Sequence, residues 1–183
     1  MGKKLSEMTL EELWQLFPIF LTEHKPYWAD WYNEEVKQLK SILPSSVEYH
    51  HVGSTAVSGI MAKPIIDILV AVDSKDQLKQ AALILQDNDY IVMSSSENRI
   101  SLNKGYTESG FAEKVFHLHV RLKDDLDEIS FRDYLNNHPD VAKDYEQLKL
   151  RLWKEYEHNR DAYTNAKSEF VNKYTKSAKD NIL

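Results

Sequence analysis

Two short segments decide the fold of this chain: HVGST at His51–Thr55 and KPIIDILV at Lys63–Val70. The first segment has the pattern of a strand that ends at Gly53, and the second of a strand with one acid, Asp67, in its middle. The run Pro64–Val72 is almost continuously apolar and rich in Ile and Val, which is typical of a strand covered on both faces. Together they predict a glycine-containing turn beside a strand carboxylate.

Such a turn and carboxylate are suited to phosphate chemistry. Glycine lets the backbone approach a bulky anion closely. Backbone N–H groups and the hydroxyls of Ser54 and Thr55, beside a helix start, can hydrogen-bond phosphate oxygens. A carboxylate one strand away can hold the Mg²⁺ that bridges those phosphates. We therefore predict phosphate binding at Gly53, Ser54 and Thr55, and a catalytic, metal-holding role for Asp67.

Helical patterns precede and follow these strands. Thr9 has the sequence context of an N-cap, and apolar residues then recur at helical spacing through Leu21; Pro26 suits a second helix start, and Ser74 a third. From Asp125 onward the pattern is helical throughout. Further strands are predicted at residues 47–52, 90–93, 99–103 and 115–122, the last two pairing across a loop at residues 105–110. This order predicts an α+β (α/β) fold: a mixed sheet flanked by helices, with helical N-terminal and C-terminal segments.

The bulk composition limits the classes of function. The 183 residues suit one domain, 1–183, and none is cysteine, which excludes disulfides and thiolate chemistry. The net charge is −6 and Lys and Arg alternate with Asp and Glu, so a nucleic-acid partner is not expected, whereas a small anionic ligand is allowed. Residues 1–12 are charged and no apolar run approaches the roughly 18 residues of a membrane helix. We expect a cytoplasmic protein without a membrane partner.

The turn and the acid-bearing strand resemble the nucleotidyltransferase superfamily, in which a Gly-Ser pair precedes an Asp-x-Asp strand. In this resemblance Gly53 and Ser54 take the Gly-Ser positions, and Ile65 and Asp67 take the two acidic positions. Ile65 cannot bind a metal, so one of the two metal ligands that the superfamily implies is missing. Two-metal chemistry is therefore in doubt.

Longer blocks of the chain resemble the GrpB family more specifically. They occur in family order from about His24 to Phe170. The resemblance implies a nucleotidyltransferase-like fold and says less about the reaction, because the activity of the family is poorly defined. The blocks are HVGSTAV (His51–Val57), KPIIDILV (Lys63–Val70), HLHV (His117–Val120), FRDYL (Phe131–Leu135), YEQLK (Tyr145–Lys149) and YTNAKSEF (Tyr163–Phe170).

A later strand normally carries the third acid of the superfamily, and here that strand offers His117 and His119 on one face. A metal site of Asp67, His119 and either His117 or His51 would favour Zn²⁺ or Mn²⁺ over Mg²⁺. In this interpretation His119 replaces a missing acid as a catalytic residue. The alternative is that both strand histidines are structural.

Four basic residues are candidates for phosphate contacts. Lys63 directly precedes the acid-bearing strand, and Arg132, Lys149 and Lys167 stand in the family-like helical motifs. These four side chains could close over the site as phosphate clamps. The alternatives are a solvated strand edge for Lys63 and surface ion pairs for the others.

Three functions remain open at this level. The first is a divergent nucleotidyltransferase that binds a nucleotide or phosphorylated metabolite and transfers a nucleotidyl group to a small acceptor. The second is a nucleotide- or coenzyme-binding module that has lost the metal pair, and the third a histidine-metal hydrolase. The sequence does not identify the nucleotide base, the acceptor or the metal. It also does not identify the oligomeric state or any protein partner.

Overall fold

One five-stranded mixed sheet organises the fold. The computed structural model describes residues 3–181, and within them the strand order is β1-β2-β5-β4-β3. Strand β2 pairs with β5 in parallel, and the other neighbours are antiparallel. The strands are β1 (Glu48–Val52), β2 (Ile65–Val72), β3 (Ile91–Ser95), β4 (Arg99–Thr107) and β5 (Gly110–Leu122).

Six α-helices flank this sheet and form both ends of the described chain. Two short 3-10 turns at Leu5–Glu7 and Ser54–Ala56 accompany them. Thr9 and Ser74 accept backbone N–H groups at the starts of α1 and α3, as the sequence predicts. The helices are α1 (Leu10–Leu16), α2 (Trp28–Ile42), α3 (Lys75–Gln86), α4 (Asp127–Asn137), α5 (Pro139–Tyr156) and α6 (Arg160–Asp180). The predicted α+β class, with a mixed sheet and helical ends, is confirmed.

Besides shifts of one or two residues, two regions differ from the sequence prediction. Helix α1 ends at Leu16 rather than Leu21, because the chain leaves the helical conformation at Phe17, directly before Pro18, and the residue before a proline disfavours helical backbone. Strands β4 and β5 pair as predicted, but they continue toward each other as far as Thr107 and Gly110. The loop expected over residues 105–110 is thus mostly strand, and this extension places Tyr106 in the sheet.

The two faces of the sheet pack differently. One face buries the main apolar core against α2 and α3, with Trp28, Leu39 and Leu78 at most 1% exposed. The opposite face contacts α4 through a small apolar cluster, and α5 and α6 pack against α4. No helix among residues 3–181 is long and apolar enough to cross a membrane.

Candidate functional site

A single row of residues crosses all five strands and contains the central carboxylate. The pairing register aligns Val52, Asp67, His117, Asn103 and Ile91. Residues in register on neighbouring strands share a face of the sheet, and side chains alternate between faces along a strand. Asp67 and His117 therefore lie side by side, and His119 lies on the same face two residues along β5, as predicted.

The turn after β1 packs directly on this carboxylate. A Cβ atom at Gly53 would lie 2.4 Å from Asp67 Oδ2, and the φ angle of Gly53 is +72°. Both facts require glycine. The residues that follow, Ser54–Ala56, form only a three-residue 3-10 turn, so the helix start expected beside the phosphate-binding residues is absent at this turn.

Thr55 and His51 lie together but away from the strand histidines. His51 Nε2 is 2.9 Å from Thr55 Oγ1, and the His51 ring stacks on Tyr32 of α2 at 4.8 Å. Burial lowers the pKa of His51 to about 4. Because His51 pairs in register with Ile68, it lies on the core side of the sheet, opposite the face of Asp67.

His119 forms a hydrogen-bonded chain with Asp67 and Arg121. His119 Nε2 lies 2.8 Å from Asp67 Oδ1, and Arg121 Nη2 lies 3.4 Å from His119 Nδ1. A guanidinium has no acceptor, so Nδ1 accepts and Nε2 carries the proton donated to Asp67. Arg121 is itself 5% exposed and is held by Glu128 Oε1 at 3.0 Å. Both nitrogens of His119 are therefore engaged.

His117 is linked in the other direction, to Tyr106 and Arg160. Arg160 Nη2 donates to Tyr106 Oη at 2.8 Å, and Tyr106 Oη lies 2.7 Å from His117 Nε2. The Tyr106 hydroxyl proton is then free to point at Nε2, which leaves the Nδ1 proton facing Asp67 Oδ1, 3.7 Å away. Burial lowers the pKa of His117 to about 3, so this imidazole is neutral near pH 7.

Asp67 remains ionised in this setting. Burial raises the pKa of Asp67, but the hydrogen bond from His119, together with the nearby His117 and Lys63, outweighs burial and lowers the pKa to about 2. The side chain is 25% exposed. An ionised carboxylate therefore stands at the centre of the site at neutral pH.

The donor set around Asp67 does not fit a metal centre. Oδ1 accepts from His119, Oδ2 lies against the Gly53 backbone, and Ile65, at the other superfamily acid position, is apolar and 5% exposed. Among residues 3–181 no group of three His, Cys, Asp or Glu side chains is arranged to hold a metal ion. The divalent metal (Mg²⁺, Mn²⁺ or Zn²⁺) on Asp67, His117 and His119 stays a prediction, and no step below depends on it.

Two of the predicted phosphate contacts, Lys63 and Lys167, lie close enough to Asp67 to interact with its charge, and a third, Lys149, lies at the adjacent turn. Lys149 is 2% exposed and donates to Ser54 Oγ at 3.0 Å and to Met61 O at 2.5 Å. The ammonium groups of Lys63 and Lys167 lie over the same ring, that of Tyr163, at 5.3 and 4.4 Å from its centroid. Helices α5 and α6 thus bring their lysines to the turn.

The charges of these lysines repel one another. Burial lowers the pKa of Lys149 to about 7 and that of Lys167 to about 8. Burial also holds the pKa of Lys63 well below its usual value, with further lowering by Lys167, Arg160 and Lys149, opposed by Asp67. Lys63, Lys149, Lys167 and Arg160 are thus close enough to influence one another's charge, with Asp67 and Glu146 as the nearby carboxylates.

Arg132 lies at the edge of this cluster and not within it. Its guanidinium donates to the carbonyl oxygen of His51 at 2.8 Å and pairs with Asp133 at 2.7 Å. It nevertheless lines a cavity of about 270 Å³ that also includes Gly53, Ser54 and Tyr145 in its wall. The cavity therefore lies beside the turn.

Sequence reasoning missed Arg160, Tyr106, Arg121 and Tyr163 as parts of the site. Tyr106 fell in a predicted loop, and Arg160 only follows the N-cap residue Asn159 of α6. Tyr163 appears in the sequence analysis only as the first residue of the family-like block Tyr163–Phe170. The one available signal was the spacing of Arg121 and His119 on β5, since alternate residues of a strand share a face.

The fold and the turn define an α+β protein with a lysine-rich site beside a strand carboxylate. The family model described as GrpB protein matches residues 18–177, and the chain belongs to that family. The resemblance stated from the sequence blocks is thereby confirmed.

Relatives and a solved structure agree with this membership. The chain is 37% identical to the glutamate-rich protein GrpB of Alkalihalophilus pseudofirmus, over 84% of this chain and 91% of the relative. It is 29% identical to the UPF0157 protein YqkA of Bacillus subtilis, over 96% of this chain but only 52% of YqkA, so it spans about half the length of that relative. The crystal structure of the conserved protein GrpB from Enterococcus faecalis superposes with a TM-score of 0.77 at 29% identity, covering 89% of this chain and 99% of that one.

Proposed function

We propose that this protein binds a nucleotide or another phosphorylated small molecule beside Asp67, with Lys63, Lys149 and Lys167 as its phosphate contacts. The observation that carries the proposal is the position of these three lysines: Lys149 donates to Ser54 Oγ, and Lys63 and Lys167 lie over the same aromatic ring. Burying a charge without a partner is costly. An anionic ligand would supply the missing negative charge and offset the repulsion among the lysines.

The turn at Gly53 and the lysines of α5 and α6 would both contact the ligand. The backbone at Gly53 allows close approach, and Ser54 Oγ, already bonded to Lys149, offers a hydroxyl to phosphate oxygens. Arg132 at the cavity wall would contact the outer end of the ligand. The bound phosphates would then be held by positioned cations in a partly enclosed site, where such contacts are stronger than in water.

The hydrogen bonds of His119 favour ligand binding without nucleotidyl transfer. One of its nitrogens donates to Asp67 and the other accepts from Arg121, so neither is free to accept a proton from an acceptor hydroxyl. With Ile65 in place of the second acid, a single carboxylate remains. We therefore propose a positioning role for His119 instead of the catalytic role expected from the sequence, and a binding module as the better-supported function.

Binding can be tested with tripolyphosphate and nucleoside triphosphates by calorimetry and thermal shift, in EDTA and in Mg²⁺, Mn²⁺ or Zn²⁺. A ligand at 100 times its Kd should stabilise the fold by about 2.7 kcal/mol. We expect binding in EDTA, and its loss in Lys149→Met but not in Lys154→Met, an exposed lysine of the same helix. No binding by any of these anions would overturn the proposal.

Nucleotidyl transfer is the second candidate, and it makes a different prediction. The acceptor oxygen would bond to the α-phosphorus while the bond to pyrophosphate breaks, and the acceptor proton would pass to solvent. Pyrophosphate release that needs a divalent metal and disappears in Asp67→Asn, with ligand binding retained, would establish transfer. Tightly bound stoichiometric metal in the purified protein would instead favour the metal hydrolase.

A further inference from the structure

A second and larger cavity, of about 790 Å³, lies on the same side of the sheet as Asp67. Its apolar wall comes from the N-terminal segment and from β3, through Leu13, Trp14, Ile91 and Met93. The two β3 side chains are 46% and 57% exposed. A contiguous exposed apolar surface of this kind is typical of a binding site.

The cavity floor continues the row that contains Asp67. Asn103 and Ile91 are the β4 and β3 members of that row, and both line the cavity. Asn103 is 6% exposed, so a buried amide lies between the charged centre and the apolar wall. The same sheet face thus presents a charged end at β2 and an apolar end at β3.

Two residues form the boundary between the charged centre and the cavity. Tyr106 and Arg160 both line the cavity. They also belong to the hydrogen-bonded chain that reaches Asp67 through His117. Arg160 lies 5.2 Å from the Tyr106 ring centroid. A guanidinium in a partly enclosed, mostly apolar cavity is a binding point for an anionic or polar substituent.

We propose that this cavity binds an aromatic ring that carries an anionic substituent, with the ring against Trp14 and Phe17 and the substituent at Arg160. Its volume is in the range of small-molecule sites, roughly 300–1,000 Å³. The aromatic walls favour a ring over an alkyl chain, since ring pairs gain from edge and offset contacts. Assigning the ring to the ligand of the lysine site, or to its acceptor, rests on the proposed function; binding in the cavity does not.

The test uses 8-anilinonaphthalene-1-sulfonate, an aromatic anion, titrated into the full chain and followed by its fluorescence. We expect saturable binding at one site, weakened at least about tenfold by Met93→Glu, which adds a like charge at the apolar wall. Leu83→Glu is the matched control, because Leu83 is a similarly exposed apolar residue, 64% exposed, on α3. Arg160→Met should also weaken binding, and near-UV circular dichroism would verify that each variant is folded.

The proposal for the lysine site and the proposal for the cavity can be overturned independently. Tripolyphosphate should still bind Met93→Glu, and the naphthalene sulfonate should still bind Lys149→Met. Equal dye affinity in wild type, Met93→Glu and Leu83→Glu, or dye binding without saturation, would overturn the cavity proposal. If tripolyphosphate fails to bind the wild-type protein while the dye still binds, only the proposal for the lysine site is overturned.

Discussion

The backbone of Gly53 lies against the carboxylate of Asp67, so closely that a Cβ atom there would be 2.4 Å from Oδ2. The contact ties the turn after β1 to the middle of β2. It explains why this turn needs glycine for two reasons, the close approach and the positive φ angle.

The substitution Gly53→Ala should therefore displace either the turn or the carboxylate. We expect a loss of folding free energy of roughly 1–3 kcal/mol from overpacking, in addition to the backbone strain, and loss of tripolyphosphate binding. Gly59→Ala is the matched control, because Gly59 has a similar φ of +75° with nothing within 4 Å of its added Cβ. Chemical denaturation of both variants measures the difference, and equal losses would contradict the role given to the contact.

Much of this arrangement could be predicted from the sequence, because it depends on local patterns. The apolar run of β2 and the turn at Gly53 fixed the neighbourhood of Asp67, and alternate positions on β5 placed His117 and His119 on one face. The contributions of Tyr106 and Arg160 could not be predicted. They depend on where β4 ends and how α6 packs, which are tertiary properties without a local motif.

A second prediction concerns acid stability and His117. Its pKa is lowered by burial to about 3, against 6.5 when unfolded, so between these values the unfolded chain binds more protons. Stability should then rise with pH across this window and be lost on acidification, by up to about 1.4 kcal/mol per pH unit for one full proton. His117→Gln should flatten the slope of unfolding free energy between pH 6.5 and 4. An exposed control, His158→Gln, should leave the slope unchanged. His51, whose pKa is lowered to about 4, contributes to the same window in every variant, so a slope in His117→Gln equal to that of wild type would contradict the lowered pKa of His117.

A third prediction concerns alkaline stability and Lys149. Its pKa is lowered by burial to about 7, against 10.5 when unfolded. The unfolded chain therefore binds more protons between pH 7 and 10, and stability should increase with pH in that range. Lys149→Met should reduce this pH dependence, as measured by urea unfolding from pH 7 to 9.5, and the remainder should come from Lys63 and Lys167, whose pKa values are also lowered. Lys154→Met should behave like wild type, and a wild-type curve that is flat over this range would refute the shift.

The lysines also show why the sequence could only partly define the site. Lys149 and Lys167 stand in recognisable motifs, but ordinary helical lysines are solvated, and nothing in the spacing shows that both are enclosed. Their burial follows from the packing of α5 and α6 on the turn, through Tyr145 and Tyr163. The sequence alone therefore could not distinguish phosphate clamps from surface ion pairs, whereas the burial of Lys149 excludes a surface pair for it.

The final prediction joins these lysines to ligand binding. At pH 8 the pKa values of about 7 for Lys149 and about 8 for Lys167 leave both partly neutral. A bound polyanion favours their charged forms and raises these pKa values, so binding should take up protons from the buffer. Calorimetry of tripolyphosphate binding at pH 8 in phosphate-free buffers of different ionisation enthalpy measures this uptake. We expect about one proton in wild type and a clearly smaller uptake in Lys167→Met, with Lys176→Met, an exposed lysine of the same helix, as control. Binding with no proton uptake in wild type would place the anion away from these lysines.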